Sequence, residues 1–78
     1  MGKRIVILGA TGSIGRNALA VCRRLAPGLR VHGLAARTRM EDLARAAAEF
    51  GCPRVVTADG VGLDRLRPLL PPGIRADC

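Results

Sequence analysis

A glycine-rich segment near the start of the chain has the residue types that bind a phosphate anion. Its candidate cofactor-binding residues are three glycines spaced three apart, with two hydroxyl residues and one aliphatic residue between them: Gly9, Thr11, Gly12, Ser13, Ile14 and Gly15. Glycine permits a sharp turn and a close approach of the backbone to a ligand. A helix that starts here also points its free N–H groups and the positive end of its dipole at the anion. The spacing G-x-x-G-x-x-G therefore favours a loop that holds a nucleotide's phosphates, and a tight turn without a ligand is the alternative.

A second candidate site lies about 20 residues further along, where NAD-binding sequences usually place Asp or Glu to hold the ribose 2′-hydroxyl. This chain has Arg37, Thr38 and Arg39 there and no carboxylate, which would repel a phosphate. Arginine makes planar, often paired hydrogen bonds to phosphate. The segment therefore favours NADP over NAD, with Arg37 and Arg39 on the 2′-phosphate. Two arginines that simply point into water at a helix start are the alternative.

The elements that must position these residues alternate regularly. Hydrophobic patterning predicts strands over 4–9, 30–36 and 54–58, and helices over 13–26, 38–50 and 62–70. Pro27 and Gly28 are expected to end the first helix, and Pro68 is expected to shorten or kink the third. The order βαβαβα with helix-length connections predicts an α/β fold, a Rossmann-type parallel sheet that forms one half of a dinucleotide-binding domain.

Several details of packing follow from the same patterns. The continuous apolar first strand reads as buried on both faces. The predicted apolar face of the first helix consists of Ile14, Ala18, Val21, Cys22 and Leu25, and that of the second consists of Met40, Leu43, Ala44, Ala47 and Phe50. Thr38 and Glu41 have the spacing of a capping box, and Arg45 lies four residues from both Glu41 and Glu49. Residues 74–78 read as the approach to a further element. A half-domain leaves its first strand with an open edge, which predicts self-association and marginal stability.

Composition excludes several classes of function. The net charge is +7, but the arginines are scattered and a lone Phe50 is the only aromatic residue to stack on bases, so we expect no nucleic-acid partner. The only histidine, His32, has no catalytic partner near it in sequence. The three cysteines lie too far apart for a metal motif, so we expect reduced thiols in a cytoplasmic protein. No apolar run is long enough to cross a membrane, so we expect no membrane partner.

The sequence resembles the amino-terminal part of the 1-deoxy-D-xylulose 5-phosphate reductoisomerase family over nearly its whole length. The likeness is carried by four stretches: Ile5 to Gly15, Val21 to Arg23, Val31 to Ala36, and Glu49 to Val56. A phenylalanine that ends the second helix, followed by a proline just before a valine-rich strand, is characteristic of that family. The segment Arg37-Thr38-Arg39 departs from the family's usual Gly-Lys-Asn but keeps positive charge.

The resemblance implies an NADP-dependent oxidoreductase of non-mevalonate isoprenoid biosynthesis. Such an enzyme converts 1-deoxy-D-xylulose 5-phosphate, a phosphorylated sugar, to 2-C-methyl-D-erythritol 4-phosphate with NADPH and a divalent metal, Mg or Mn. Residues 1–78 would then be the start of the NADP(H)-binding domain. The metal ligands, catalytic residues and carboxy-terminal domains of that enzyme would lie beyond them. The full-length enzyme would be a homodimer, and these residues alone would be inactive. An atypical short-chain dehydrogenase or a non-catalytic NADP-sensing regulator is the alternative.

Overall fold

Strands of one parallel sheet alternate with helices along the chain. A computed structural model describes residues 3–26 and 28–78, so Pro27 and its expected role lie outside the described residues. The strands are β1 (Lys3–Leu8), β2 (Leu29–Ala36), β3 (Arg54–Thr57) and β4 (Arg75–Asp77). The helices are α1 (Ser13–Leu25), α2 (Met40–Phe50) and α3 (Gly60–Leu66), and a 3₁₀ turn over Arg67–Leu69 continues α3.

The four strands pair in sequence order, β1-β2-β3-β4, and every pair is parallel. This arrangement confirms the predicted α/β parallel sheet and leaves β1 at an edge of the described sheet. The fourth strand was not predicted, because residues 74–78 were read only as the approach to another element. It is short and depends on backbone pairing with β3, and Arg75 also donates its N–H to the carbonyl oxygen of Pro53 at 2.9 Å.

The core lies between the sheet and the helices. Along β1 and β3, buried side chains such as Ile7 and Val55 alternate with exposed ones. Along β2 the alternation is interrupted where the pairing with β1 shifts register, and Gly33 and Leu34 are both buried. Successive right-handed crossovers in one direction place every helix on the same face of the sheet. The opposite face, which we call the open face, is exposed. The predicted stripe of α2 is confirmed at its four buried positions: Met40, Leu43, Ala44 and Ala47.

Two packing predictions were wrong. β1 is not buried on both faces, since Val6 and Leu8 on the open face are 60% and 77% exposed. The predicted face of α1 is wrong in part: Cys22 is buried and Ala18 half-buried as predicted, but Ile14 is 86% exposed, and Gly15 and Leu19 are buried instead. The buried face of α1 is rotated relative to the predicted one, because α1 packs on the preceding loop through Gly15. A glycine has no side chain and so does not contribute to a hydrophobic pattern.

The start of α2 also differs from its prediction. No capping box forms: Arg39 occupies the N-cap position, has no side-chain cap, and has a left-handed backbone with φ 58° and ψ 58°. The ion pairs predicted between Arg45 and the carboxylates of Glu41 and Glu49 do not form, and these groups have other partners or none among the described residues. Arg45 instead lies 3.7 Å from Asp42, and the guanidinium of Arg23 on α1 binds Glu49 through two hydrogen bonds.

The start of α3 lies two residues earlier than predicted. The carboxylate of Asp59 caps this helix, because its Oδ1 accepts the N–H of Gly62 at 2.8 Å. The α-helix ends at Leu66, and Pro68 lies in the 3₁₀ turn that follows, so the helix is short as the proline predicts.

Candidate functional site

The glycine loop, residues 9–15, leaves the carboxyl end of β1 and leads directly into α1. Gly9 has φ +66°, a conformation that favours glycine. The carbonyl oxygen of Gly9 accepts the N–H of Gly12 at 3.0 Å and closes the turn. The N–H of Ala10 reaches across to the carbonyl oxygen of Ala35 on β2 at 2.9 Å. The backbone therefore holds the loop at the carboxyl edge of the sheet, where parallel sheets bind their ligands.

Gly15 sets the distance between α1 and the loop. A Cβ atom at this position would lie 2.2 Å from the carbonyl oxygen of Gly9 and 2.6 Å from the Cα of Ala10. Both atoms belong to the backbone, so no side-chain rotation makes room. Gly15 therefore allows α1 to pack closely on the loop that precedes it.

Gly12 is in a different position, because it is exposed and a Cβ atom there would meet only the Gly9 carbonyl oxygen at 3.5 Å. Ser13 and Ile14 are exposed beside it. Gly12 is the N-cap of α1, no side chain caps this end, and the first turn carries no acidic residue. The first-turn N–H groups of a helix have no intrahelical acceptors. The end of α1 is thus open on its outer side and has the polarity that an anion requires.

Thr11 is buried, and its hydroxyl donates to the carbonyl oxygen of Thr38 at 3.2 Å. The hydroxyl hydrogen, expected to face a ligand, is therefore used within the protein. This hydrogen bond joins the glycine loop to the arginine loop, residues 37–39. It brings together the two segments that the sequence singled out as cofactor-binding, which are 27 residues apart.

The arginine loop is exposed at the start of α2. Within residues 3–26 and 28–78, neither Arg37 nor Arg39 lies within ion-pair distance of a carboxylate. Arg39 is the one residue other than glycine with positive φ in the part of the chain described. Such a conformation is unfavourable for a residue with a Cβ, and it is found preferentially at functional sites.

The arginine loop forms one end of an open groove of about 730 Å³ between α2 and α3. This α2–α3 groove is also lined by Val61, Arg65 and Leu69 of α3 and the 3₁₀ turn. No motif in the sequence pointed to Arg65, which lies on the side of α3 that faces solvent. The side chain is indeed exposed, but the outward face of α3 is also a wall of the groove.

The described residues contain few other side chains that are placed for catalysis or metal binding. His32 lies on β2 and is exposed, as expected for a residue of the sheet surface. Among residues 3–26 and 28–78, no group of three His, Cys, Asp or Glu side chains is placed to hold a metal ion. The helices of the described part of the chain are all too short or too polar to cross a bilayer.

Comparison with known proteins gives a consistent result. The family model described as 1-deoxy-D-xylulose 5-phosphate reductoisomerase matches residues 5–76. A protein of that name from Thermus thermophilus is 51% identical over 57 residues, which are 73% of this chain and 15% of the relative. Another from Thermodesulfovibrio yellowstonii is 43% identical over 65 residues, which are 83% of this chain and 17% of the relative.

Solved structures agree with these relatives. The reductoisomerase of Zymomonas mobilis in complex with NADPH superposes with a TM-score of 0.90 and 32% identity, covering 99% of this chain and 21% of that protein. A reductoisomerase in complex with NADPH, fosmidomycin and magnesium superposes with a TM-score of 0.84 and 30% identity, covering 97% of this chain and 19% of that protein. The chain thus spans about a fifth of the length of these relatives. The matches do not favour the alternative of a short-chain dehydrogenase or a regulator.

Proposed function

The chain belongs to the 1-deoxy-D-xylulose 5-phosphate reductoisomerase family, and we propose that it forms the NADPH-binding start of an enzyme with that activity. The enzyme rearranges and reduces 1-deoxy-D-xylulose 5-phosphate to 2-C-methyl-D-erythritol 4-phosphate. NADPH, when bound, supplies the hydride. The residues of this chain bind the cofactor and fix its position, and the substrate site and the metal ligands come from sequence outside these 78 residues.

The hydrogen bond from Thr11 to Thr38 carries the proposal, because it fixes the distance between two sites for different parts of one ligand. At the glycine loop, Gly12, Ser13 and Ile14 present the open end of α1 to the pyrophosphate. At the arginine loop, Arg37 and Arg39 offer their guanidinium groups to the 2′-phosphate, with Thr38 between them. Gly9 and Gly15 act indirectly, since they shape the loop.

The described residues offer no binding site for the divalent metal. The carboxylates of the described residues do not gather into a set of three with the cysteines or His32. We therefore assign no residue of this chain to Mg or Mn. For the same reason, we expect residues 1–78 alone to bind NADPH without catalysing turnover.

Binding and turnover are measured separately to test the function. The protein as its gene encodes it should bind NADPH, seen as a change in NADPH fluorescence. It should oxidise NADPH only when 1-deoxy-D-xylulose 5-phosphate and magnesium are both added, with the product identified by mass spectrometry. Gly12→Ala, whose Cβ has room in the fold, should weaken NADPH binding without unfolding the protein. NADPH binding without turnover of this sugar phosphate would refute the reaction and retain the cofactor site.

We also propose that the full-length enzyme is a cytoplasmic homodimer, as the family resemblance implies. The exposed apolar residues of β1 and α1 support further packing on this part of the molecule. Sedimentation equilibrium of the protein as its gene encodes it tests the dimer, and a monomer at micromolar concentration would contradict it. Cell fractionation tests the location.

A further inference from the structure

The α3 side of the α2–α3 groove has no role in the cofactor contacts described so far. Val61, Arg65 and Leu69 are spaced four residues apart, so they lie on the same side of α3 and its 3₁₀ continuation. All three line the same groove as the arginine loop. The groove therefore contains Arg65 in addition to the two arginines of the arginine loop, with an aliphatic residue on either side of it along α3.

Three guanidinium groups, those of Arg37, Arg39 and Arg65, line this groove. Within residues 3–26 and 28–78, none of the three pairs with a carboxylate. By contrast, Arg16 and Arg45 both lie within 4 Å of Asp42, at 3.9 and 3.7 Å. The guanidinium groups of this groove are therefore available to a ligand, unlike those of Arg16 and Arg45.

Three carboxylates also line the groove, and two of them are engaged elsewhere. Asp42 is shared between arginines outside the groove, and Asp59 accepts the N–H of Gly62 at 2.8 Å. Glu41 is the remaining carboxylate of the lining. Three arginines thus face one uncommitted acid, and this excess of positive charge favours an anion.

The apolar part of the wall narrows the choice of anion. Val61 is 68% exposed and Leu69 is 46% exposed, although both are aliphatic. A simple inorganic anion would make no favourable contact with these aliphatic side chains. A ligand with a flat, weakly polar ring next to a phosphate dianion would use the arginines and the aliphatic side chains together.

We propose that Arg65 completes the binding site for the adenosine 2′-phosphate of NADP, with Val61 and Leu69 against the adenine. The inference rests on the proposed function, since it concerns the same cofactor. Arg65 is a specificity-determining residue in this assignment, because NAD lacks the phosphate that it contacts. The selectivity for NADP then comes from two successive βα units of the sheet rather than from the end of β2 alone.

Fragments of the cofactor test the role of Arg65 directly. Adenosine 2′,5′-bisphosphate carries the 2′-phosphate, and adenosine 5′-monophosphate does not. Isothermal titration of the protein as its gene encodes it should show that Arg65→Gln weakens the bisphosphate by roughly tenfold, the effect of losing one charge-assisted hydrogen bond. The affinity for the monophosphate should stay unchanged. Arg67→Gln is the matched control, since Arg67 is exposed two residues away and does not line the groove.

The outcomes separate this inference from the proposed function. If the wild-type protein binds neither NADPH nor the bisphosphate, the proposed function fails. If it binds both and Arg65→Gln leaves the bisphosphate affinity unchanged, only the role of Arg65 is overturned. Equal weakening of both fragments, or an equal effect of Arg67→Gln, would also overturn it, because either result indicates a general effect of charge or fold. Circular dichroism confirms that both variants are folded.

Discussion

At the scale of the residue, the glycines of the glycine loop have distinct roles that their even spacing conceals. Gly9 is needed for its positive φ, and Gly15 is needed because backbone atoms fill the space of a Cβ. Gly12 is needed for neither reason; it is the N-cap of α1, where glycine is common, and its outer side is open to a ligand that approaches the backbone. The sequence predicts cofactor binding for all three glycines, and the structure shows that Gly9 and Gly15 have a conformational or packing role as well.

We predict that Gly15→Ala destabilises the fold, whereas Gly12→Ala does not. The Cβ atom that Gly15→Ala introduces would have to displace the backbone of Gly9 and Ala10, and overpacking of this kind costs about 1–3 kcal/mol. Urea denaturation followed by circular dichroism measures the difference. Equal stability of the two variants would show that α1 can move away from the loop without loss.

Cys52 supplies a prediction on pH. Burial raises the pKa of its thiol, and Sγ donates to the carbonyl oxygen of Arg54 at 3.0 Å. The native state therefore keeps the proton at a pH where the unfolded chain, with a thiol pKa of about 8.5, has released it. The free energy of unfolding should fall as the pH rises above that value.

Urea denaturation at a series of alkaline pH values measures this fall in the free energy of unfolding. Cys52→Ala should remove the contribution of the Cys52 thiol to that fall. In the native state, iodoacetamide should modify the exposed Cys78 first and leave Cys52 protected. Rapid labelling of Cys52 at neutral pH would contradict its burial.

At the scale of the element, the connections between strands and helices determine the site. The Thr11 hydroxyl and the Thr38 carbonyl belong to two βα connections, and their hydrogen bond holds the start of α1 beside the start of α2. The carbonyl of Thr38 takes part in place of the capping hydroxyl that the sequence predicted. A spacing rule identifies residues able to cap a helix, but it cannot show that another loop offers a better partner.

We predict that Thr11→Val lowers the free energy of unfolding by about 1 kcal/mol, the usual contribution of a hydrogen bond of this kind. Thr38→Val is the matched control, because it makes the same change of hydroxyl to methyl and keeps the accepting carbonyl. It should leave stability unchanged. Thermal and urea denaturation of both variants measure the effect. If Thr38→Val lowers the free energy of unfolding as much as Thr11→Val does, the Thr38 hydroxyl caps α2 after all and the predicted capping box is correct.

The elements also show which patterns are informative. The stripe of α2 was predicted correctly because leucine, methionine and alanine side chains make its contacts. The face of α1 was predicted wrongly because Gly15 makes the closest contact there. β4 was missed because three residues held by backbone pairing leave almost no pattern in the sequence.

At the scale of the whole molecule, the sheet is covered by helices on one face only, and β1 has no partner on its outer side within residues 3–26 and 28–78. The order of elements in the sequence predicted the open edge, since a half-domain leaves its first strand unpaired. The exposed apolar residues at this edge, Val6, Leu8 and Ile14, show that the uncovered region extends onto the open face and α1. Exposed edges with apolar side chains readily pair with other chains.

We predict that the 78-residue chain self-associates, and that Val6→Lys reduces the association because a charge at an edge strand opposes strand pairing. Val61→Lys is the matched control, since Val61 is at least as exposed as Val6 but lies on α3. Sedimentation velocity over a range of concentrations measures the effect. A concentration-independent monomer of the wild-type chain would refute the prediction.

The order of the strands also bears on how the protein is made. Within residues 3–26 and 28–78, each strand after β1 pairs with the strand synthesised just before it, so this part of the sheet can form in the order of synthesis. The glycine loop and the arginine loop can join through Thr11 and Thr38 as soon as β2 has paired with β1. A nascent chain would therefore bring its glycine loop and arginine loop together before β3 emerges, whereas Arg65 would join the proposed site only after α3 has formed. A ligand that binds these loops would stabilise the folded chain.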